Sequence, residues 1–299
     1  MMHYPRLAEE LFTIRDWLRF TVSQFEASDI FFGHGTDNSY DEAVWLILSA
    51  LHLPHDTLHN FLDAVITEQE RKHLAHLIEQ RITKRTPTAY LVREAWLRGF
   101  KFYVDERVIV PCSFIAELLE DGLQPWIEFP EMVESAADIC TGSGCLGILL
   151  ANAFPNAAID VVDISPDAIA VANINIANYG LQEQITAIQS DMFSALKGKK
   201  YDLIISNPPY VDAPSMAQLP TEYRNEPQLA LGSGVAGLDH THTILREAAN
   251  YLNDGGILVV EIGHNRDALL EAYPELPFTW LEVESGNEFV FLLTKEQLT

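Results

Sequence analysis

The chain has 299 residues, 48% of them hydrophobic, which is room for two domains with substantial cores. It carries 19 Lys and Arg against 43 Asp and Glu, a net charge of −24. So acidic a surface repels a phosphate backbone and attracts a basic partner, so direct nucleic-acid binding is not expected. Most of that charge lies beyond residue 95, where 10 basic residues face 29 acidic ones.

The first ninety residues read as helices. Pro5 is suited to a first helical turn, and Leu7, Leu11, Ile14, Leu18, Val22 and Phe25 recur at helical spacing. A second apolar stripe, Ala43, Val44, Ile47, Leu48 and Leu51, stops before Pro54, and further helical segments are expected over 56–66 and 68–84. Arg81, Lys84 and Arg85 close the last one, where cations compensate a helix C-terminus. From Tyr90 the pattern turns β-rich. Trp96, Phe100, Phe102 and Val104, followed by 108–110, predict a hairpin linker, with Pro111 ending it and a short helix over 113–119.

After residue 135 strands and helices alternate. Strands are expected at 136–140, 158–163, 185–189, 202–206 and 256–261, with a helix opened by Ser165 and Pro166 and another near Asp239. This pattern predicts a mostly parallel sheet covered on both faces. Two last strands, 278–283 and 289–294, are joined through Ser285-Gly286-Asn287, too short for a crossover, so they are antiparallel. The fold class is therefore α/β: a seven-stranded, doubly wound, Rossmann-like sheet ending in an antiparallel hairpin, behind a small helical domain. Expected boundaries are 1–88 for the helical domain, 89–112 for the linker and 113–299 for the catalytic domain.

Chemistry concentrates at the carboxyl ends of the predicted strands. Asp138-Ile-Cys-Thr141-Gly142-Ser143-Gly144-Cys-Leu-Gly147 joins the first sheet strand to its helix, where glycines allow a tight turn and close ligand approach. Asp163 ends the second strand, placed to accept both hydroxyls of an adenosine ribose, and Asp191 ends the third, placed to receive an adenine amine. With their neighbours Ile164 and Met192, these residues predict an adenosine-containing cofactor. The glycine pattern also fits a dinucleotide, so a nicotinamide dehydrogenase stays open at this point. Asp138 inside the first strand, suited to a methionine ammonium, and the terminal hairpin favour S-adenosyl-L-methionine, with S-adenosyl-L-homocysteine as product.

The fourth strand runs into Asn207-Pro208-Pro209-Tyr210. A planar NH2 group is a poor nucleophile because its lone pair is delocalised. The Asn207 side-chain oxygen and the Pro208 carbonyl can each accept one of its N–H groups, fixing its direction and stabilising developing positive charge. Two prolines stiffen the loop and add no competing N–H, and Tyr210 can stack on the flat group. Asn207, Pro208 and Tyr210 are the expected catalytic residues, Asn207 also bordering the cofactor. The same tetrapeptide suits an adenine amine, an alternative that lacks the basic recognition surface it would need. Some thirty residues without periodicity follow before Asp239, long enough to grip a substrate.

With these motifs on the page, the sequence resembles the glutamine-N5 methyltransferases that modify translation proteins, over essentially its whole length. Val104-Asp-Glu-Arg-Val-Ile-Val-Pro111-Cys-Ser113-Phe-Ile-Ala-Glu117-Leu is similar to the ribosomal-protein branch and not to the release-factor branch, as are Asn207-Pro-Pro-Tyr-Val-Asp212 and Glu226-Pro-Gln-Leu-Ala-Leu231. Cys112 and Phe114 depart from that branch, which has arginine and proline there. The resemblance implies methylation of a glutamine side chain in the third protein of the large ribosomal subunit, a basic partner that suits the acidic surface. It implies Asn207, Pro208, Pro209, Tyr210 and Glu226 as substrate contacts. The sparse cysteines and the lack of a signal peptide or 18-residue apolar run point to a cytoplasmic, membrane-free protein, and His240 and His242 lack the partners of a metal site.

Overall fold

The computed structural model describes residues 7–299. The chain divides into two compact units. One takes in the described residues up to Ala95 with Val104–Glu106 and Leu219–Glu226, and the other Trp96–Tyr103, Arg107–Gln218 and Pro227–Thr299.

The first unit is helical: α1 (Ile14–Glu26), α2 (Ser39–Ala50), a single turn α3 (Leu58–Phe61), α4 (Glu68–Thr83) and α5 (Thr88–Val92). Its core packs Trp17, Phe25, Leu46, Ile47, Leu74 and Ile78 away from water. The expected first helix is shorter than the apolar spacing suggested. Thr13 and Asp16 form a capping box that starts α1 at Ile14, because each satisfies a backbone N–H the helix leaves open. Pro5 lies outside the described residues. A second capping box, Thr67 with Glu70, starts α4. That choice of start leaves 62–66 non-helical, with Val65 bridged antiparallel to Thr13 instead of continuing the helix expected over 56–66.

Arg81 also departs from expectation. It does not compensate a helix end in solvent but is 1% exposed. Its guanidinium donates to Glu42, to Glu222 at 3.2 Å and to the Phe31 carbonyl at 2.8 Å, while Thr88 donates to Glu42 at 2.7 Å. The Phe31 N–H donates to Glu222 at 2.9 Å. A planar fork of donors suits this multi-acceptor role, in which a buried cation must be fully paired. The network fastens 219–226, part of the long aperiodic stretch, to the helices.

The second unit begins at Trp96, the second residue of β1 (Ala95–Leu97), which forms a two-stranded sheet with β2 (Phe100–Phe102). Residues 108–110 form no strand, contrary to expectation; Val108 and Val110 are buried, but their backbone runs irregularly into Pro111, which brings no N–H for a ladder. After the short helix α6 (Ile115–Glu120) come β3 (Ser135–Ile139), α7 (Cys145–Ala153), β4 (Ala158–Asp163), α8 (Pro166–Asn178), β5 (Ile185–Gln189), β6 (Tyr201–Ser206), α9 (Ala213–Gln218), α10 (Asp239–Glu247), β7 (Leu252–Glu261), α11 (Arg266–Ala272), β8 (Thr279–Val283) and β9 (Gly286–Thr294). Ser165 caps α8 by accepting from the Ala168 N–H at 3.2 Å, with Pro166 at the first position, as the sequence predicts.

The seven-stranded sheet runs β5-β4-β3-β6-β7-β9-β8. The first five strands are parallel, and β9 pairs antiparallel with both β7 and β8. Strand order reverses between β3 and β6, and at such a switch point the loops leaving the carboxyl ends diverge and open a crevice. Asp138 lies in β3 one residue before its end, and Asn207 follows β6 directly, so both candidate chemistries face the same crevice from adjacent strands.

Candidate active site

The loop after β3 is held from below by Asp138, whose side chain is fully buried. Its Oδ2 accepts from Thr141 Oγ1 at 2.5 Å and from the Gly147 N–H at 3.1 Å, while Oδ1 has no protein partner. Burial pushes this carboxyl up to about 7, against the lowering effect of the two hydrogen bonds. An unpartnered buried carboxylate oxygen is costly, and a cationic ligand group is what would satisfy it. Gly147 is required by space: a Cβ there would lie 2.2 Å from Val161 Cγ1, so only glycine lets α7 sit this close to β4. Gly142 is required by conformation, at φ 55°.

Asp163 ends β4 and reaches both neighbouring loops. Its Oδ2 accepts from the Gly142 N–H and its Oδ1 from the Ser165 N–H, each at 2.9 Å. Burial raises its pKa, and the backbone hydrogen bonds oppose that rise. Ser190 Oγ donates to the Met192 carbonyl at 2.9 Å and fixes the turn after β5, where Met192 adopts φ 46°.

These loops border a crevice, open to solvent, lined by Gly142, Asp163, Ile164, Asp191, Met192, Asn207 and Pro209. Seven of the sequence-predicted positions are thus brought to one pocket. Asp138, Thr141 and Gly147 support its floor, and Ser143 is a support too, its carbonyl accepting from Asn175 Nδ2 at 2.9 Å. Gly144 is the left-handed N-cap of α7, and Pro208 is buried.

Asn207 is oriented by one contact. Its Nδ2 donates to the Cys112 carbonyl at 3.0 Å. A carbonyl can only accept, so this contact settles which end of the amide is nitrogen and leaves Oδ1 as an acceptor for something else. The contact is made by the backbone of residue 112, so it does not depend on the side chain at that position. Tyr210 packs its ring against Gly263, where a Cβ would come within 2.7 Å, and donates its hydroxyl to Glu261 at 3.3 Å. Glu226 belongs to the helical unit, buried 3.4 Å from His34. Its successor Pro227 lines the cavity.

Sequence reading did not assign several wall residues. Arg107, Val108 and Ile109 line the cavity from the stretch expected to be a strand, and Leu229 and Ala230 from the aperiodic segment. His240, considered only as a metal ligand, also lines it; its Nδ1 lies 2.7 Å from Ser233 Oγ, and burial lowers its pKa. Glu261 was missed as well, although its place at the end of a parallel strand next to the switch point was a usable signal. No group of His, Cys, Asp and Glu among the described residues could hold a metal.

Comparison with known proteins gives this geometry a family. The family model "Methyltransferase small domain" matches residues 121–220. The chain is 59% identical over 295 residues to a ribosomal protein uL3 glutamine methyltransferase of Neisseria gonorrhoeae, covering 99% of this chain and 98% of the relative. It is 52% identical to the protein of the same name from Bordetella pertussis, with 97% of each chain covered. Among solved structures, the hMettl16 catalytic domain in complex with a 3′UTR hairpin aligns with a TM-score of 0.50 at 14% identity, over 78% of this chain and 84% of that one, a likeness of fold alone. At such identity over nearly the full length, with the crevice assembled as described, the dinucleotide reading falls away, and the chain belongs to the family of ribosomal protein uL3 glutamine methyltransferases.

Proposed function

We propose that this protein transfers a methyl group from S-adenosylmethionine to the side-chain amide nitrogen of a glutamine in ribosomal protein uL3. The observation that carries the reading is the Asn207 orientation: its NH2 is spent on the Cys112 carbonyl, so its oxygen is left to accept an N–H at the edge of the crevice that Asp163 and Asp191 line.

The residues present fit the cofactor. The unpartnered Oδ1 of Asp138 suits the methionine ammonium, Asp163 the ribose, and Asp191 with the Met192 backbone the adenine, while Ile164 and Gly142 supply apolar and backbone surface. When bound, S-adenosylmethionine supplies an electrophilic methyl group.

The chain's own work is to make an amide nitrogen competent. Asn207 Oδ1 and the Pro208 carbonyl accept its two N–H groups, which fixes the nitrogen's direction of attack and stabilises positive charge as it develops. Tyr210 offers a flat face to the amide plane. The nitrogen becomes acidic only as it gains the methyl group, so its proton can leave to water after transfer, and no strong base is needed beside it. The Asn207 oxygen holds that proton until it departs. Pro209 and Ile109 line the same pocket with apolar surface that limits access of bulk water.

The acidic chain suits a basic ribosomal protein, and we assign the helical unit to docking it, with Glu226 on the segment that this unit holds. Replacing Asn207 by alanine tests the assignment of the loop. Cofactor affinity measured by calorimetry stays within about threefold while turnover on uL3 falls by ~100-fold or more, the scale of losing one preorganised acceptor. Unchanged turnover would remove Asn207 from the reaction.

A further inference from the structure

Resting on the methyl-transfer reading above, we infer that Glu261 is a positioning residue of the reaction, the buried carboxylate that fixes which way the Asn207 amide points.

The argument begins with strand register. Ser206 pairs with Val260 across the parallel strands β6 and β7, so Asn207 and Glu261 leave the sheet side by side. Glu261 is 1% exposed. Its Oε2 accepts from Ser113 Oγ at 2.7 Å and from the Phe114 N–H at 2.8 Å, and its Oε1 accepts from the Tyr210 hydroxyl at 3.3 Å. The two oxygens therefore hold two different segments. One is 113–114, directly after the Cys112 carbonyl that receives the Asn207 NH2; the other is Tyr210, three residues after Asn207. Carboxylate, segment 112–114, Asn207 and Tyr210 close a ring, and Glu261 is the member that joins its two ends.

The ring decides polarity. An asparagine side chain released from the Cys112 carbonyl can rotate by half a turn and present its NH2 where the substrate amide also presents N–H, donor against donor. The fold accepts a cost to prevent this, since burial pushes the Glu261 carboxyl up to about 7 while its hydrogen bonds with Ser113, Phe114, Tyr210 and the Ile115 backbone pull the other way. An apolar residue of similar volume would spare that cost.

Phe114 contributes through its backbone. Proline, expected at this position from the resemblance, has no N–H and could not donate to Glu261. The phenylalanine ring is stacked on Phe289 at 4.6 Å, which keeps the donating peptide in place. Glu261 is not among the residues lining the cofactor cavity, so its loss should act on turnover and not on cofactor binding.

Three variants test this: Glu261→Leu, which removes the acceptor contacts, Glu261→Gln, which can offer its carbonyl to Ser113 and Phe114 and its NH2 to Tyr210, and Ser113→Ala. The first readout is the side-chain NH2 resonance of Asn207, assigned with Asn207→Asp, and its exchange with solvent. The second is kcat and KM on uL3 with the calorimetric Kd for S-adenosylmethionine. Slow exchange in the wild type, rapid exchange in Glu261→Leu, partial loss in Ser113→Ala and recovery in Glu261→Gln are expected. In parallel, kcat falls ~10- to 100-fold in Glu261→Leu, the scale of a misplacement near 1 Å, with cofactor Kd within about twofold. If Glu261→Leu does not fold, Ser113→Ala carries the test. An Asn207 resonance that is unmoved in the folded variants overturns the inference. Absence of methyl transfer by the wild type would instead count against the reaction, while the resonance still reports on the ring.

Discussion

Replacing Asp138 by asparagine should make the cofactor-free protein more stable at pH 8 while abolishing its grip on the cofactor. The fully buried carboxyl is raised from its ordinary value to about 7. In the unfolded chain it ionises near pH 4, so the unfolded state gives up its proton first as pH rises. Stability is therefore whole below that value, declines between about 4 and 7, and stays reduced above; the span corresponds to ~4 kcal/mol. Asparagine carries no charge to bury. Its oxygen can take over acceptance from Thr141 and Gly147, while its NH2 inherits the position of the unpartnered Oδ1 and costs ~1–3 kcal/mol as an unmade hydrogen bond. The difference leaves a net gain of ~1–3 kcal/mol at pH 8, which falls with pH and becomes a loss of ~1–3 kcal/mol near pH 4, where the wild-type carboxyl is neutral in the folded protein. Urea denaturation of the cofactor-free protein at pH 8 and pH 5, wild type against variant, reads it directly. Calorimetry should show S-adenosylmethionine binding weakened ~100-fold or more, because a cationic group then meets no anion. A variant less stable than wild type at pH 8, or one that binds the cofactor normally, would refute the argument that this carboxylate is kept for its ligand at the fold's expense.

Other substitutions probe separate joints. Gly147→Ala drives a methyl into Val161 and should cost ~1–3 kcal/mol in denaturation while weakening cofactor binding, since the Gly147 N–H holds Asp138. Arg81→Met strands Glu42 without its cation and leaves Glu222 only the more distant Arg85 at 3.7 Å, and should cost ~3–5 kcal/mol, with proteolysis quickening first in 219–226. Ser165→Ala removes the cap of α8 and should lower stability by ~1 kcal/mol, read as a shift in urea midpoint. If the helical unit docks the substrate, amide exchange along α1 to α4 should slow when uL3 is added and stay unchanged with a release factor.

Alternation of apolar runs with capped helices was enough to read the sheet from sequence. Predicted strands 158–163 and 185–189 coincide with β4 and β5, the first because it is a largely apolar run buried between neighbouring strands, the second, a partly exposed edge strand, through its β-branched Ile185, Thr186 and Ile188. The loop residues were legible for a related reason, since glycines, strand-terminal aspartates and Asn207-Pro208-Pro209-Tyr210 are chemically conspicuous. What escaped was set by tertiary partners. Arg81 looks like any cation at a helix end until Glu222, 141 positions away, is brought to it. Residues 108–110 are β-branched like a strand, yet form no sheet, and Val108 and Ile109 serve as cavity wall. Glu261 has the composition of an ordinary strand end, and its meaning comes only from Ser113, Phe114 and Tyr210 converging on it.

The most direct measurement is methyl transfer from labelled S-adenosylmethionine, offering uL3, a release factor and adenine-containing DNA to the wild type and to Asn207→Ala, with products mapped by mass spectrometry. Label on a single glutamine of uL3, lost in the variant, is the predicted result. Label on the release factor or on DNA with uL3 untouched would contradict the proposed substrate, and equal labelling by Asn207→Ala would contradict the proposed site.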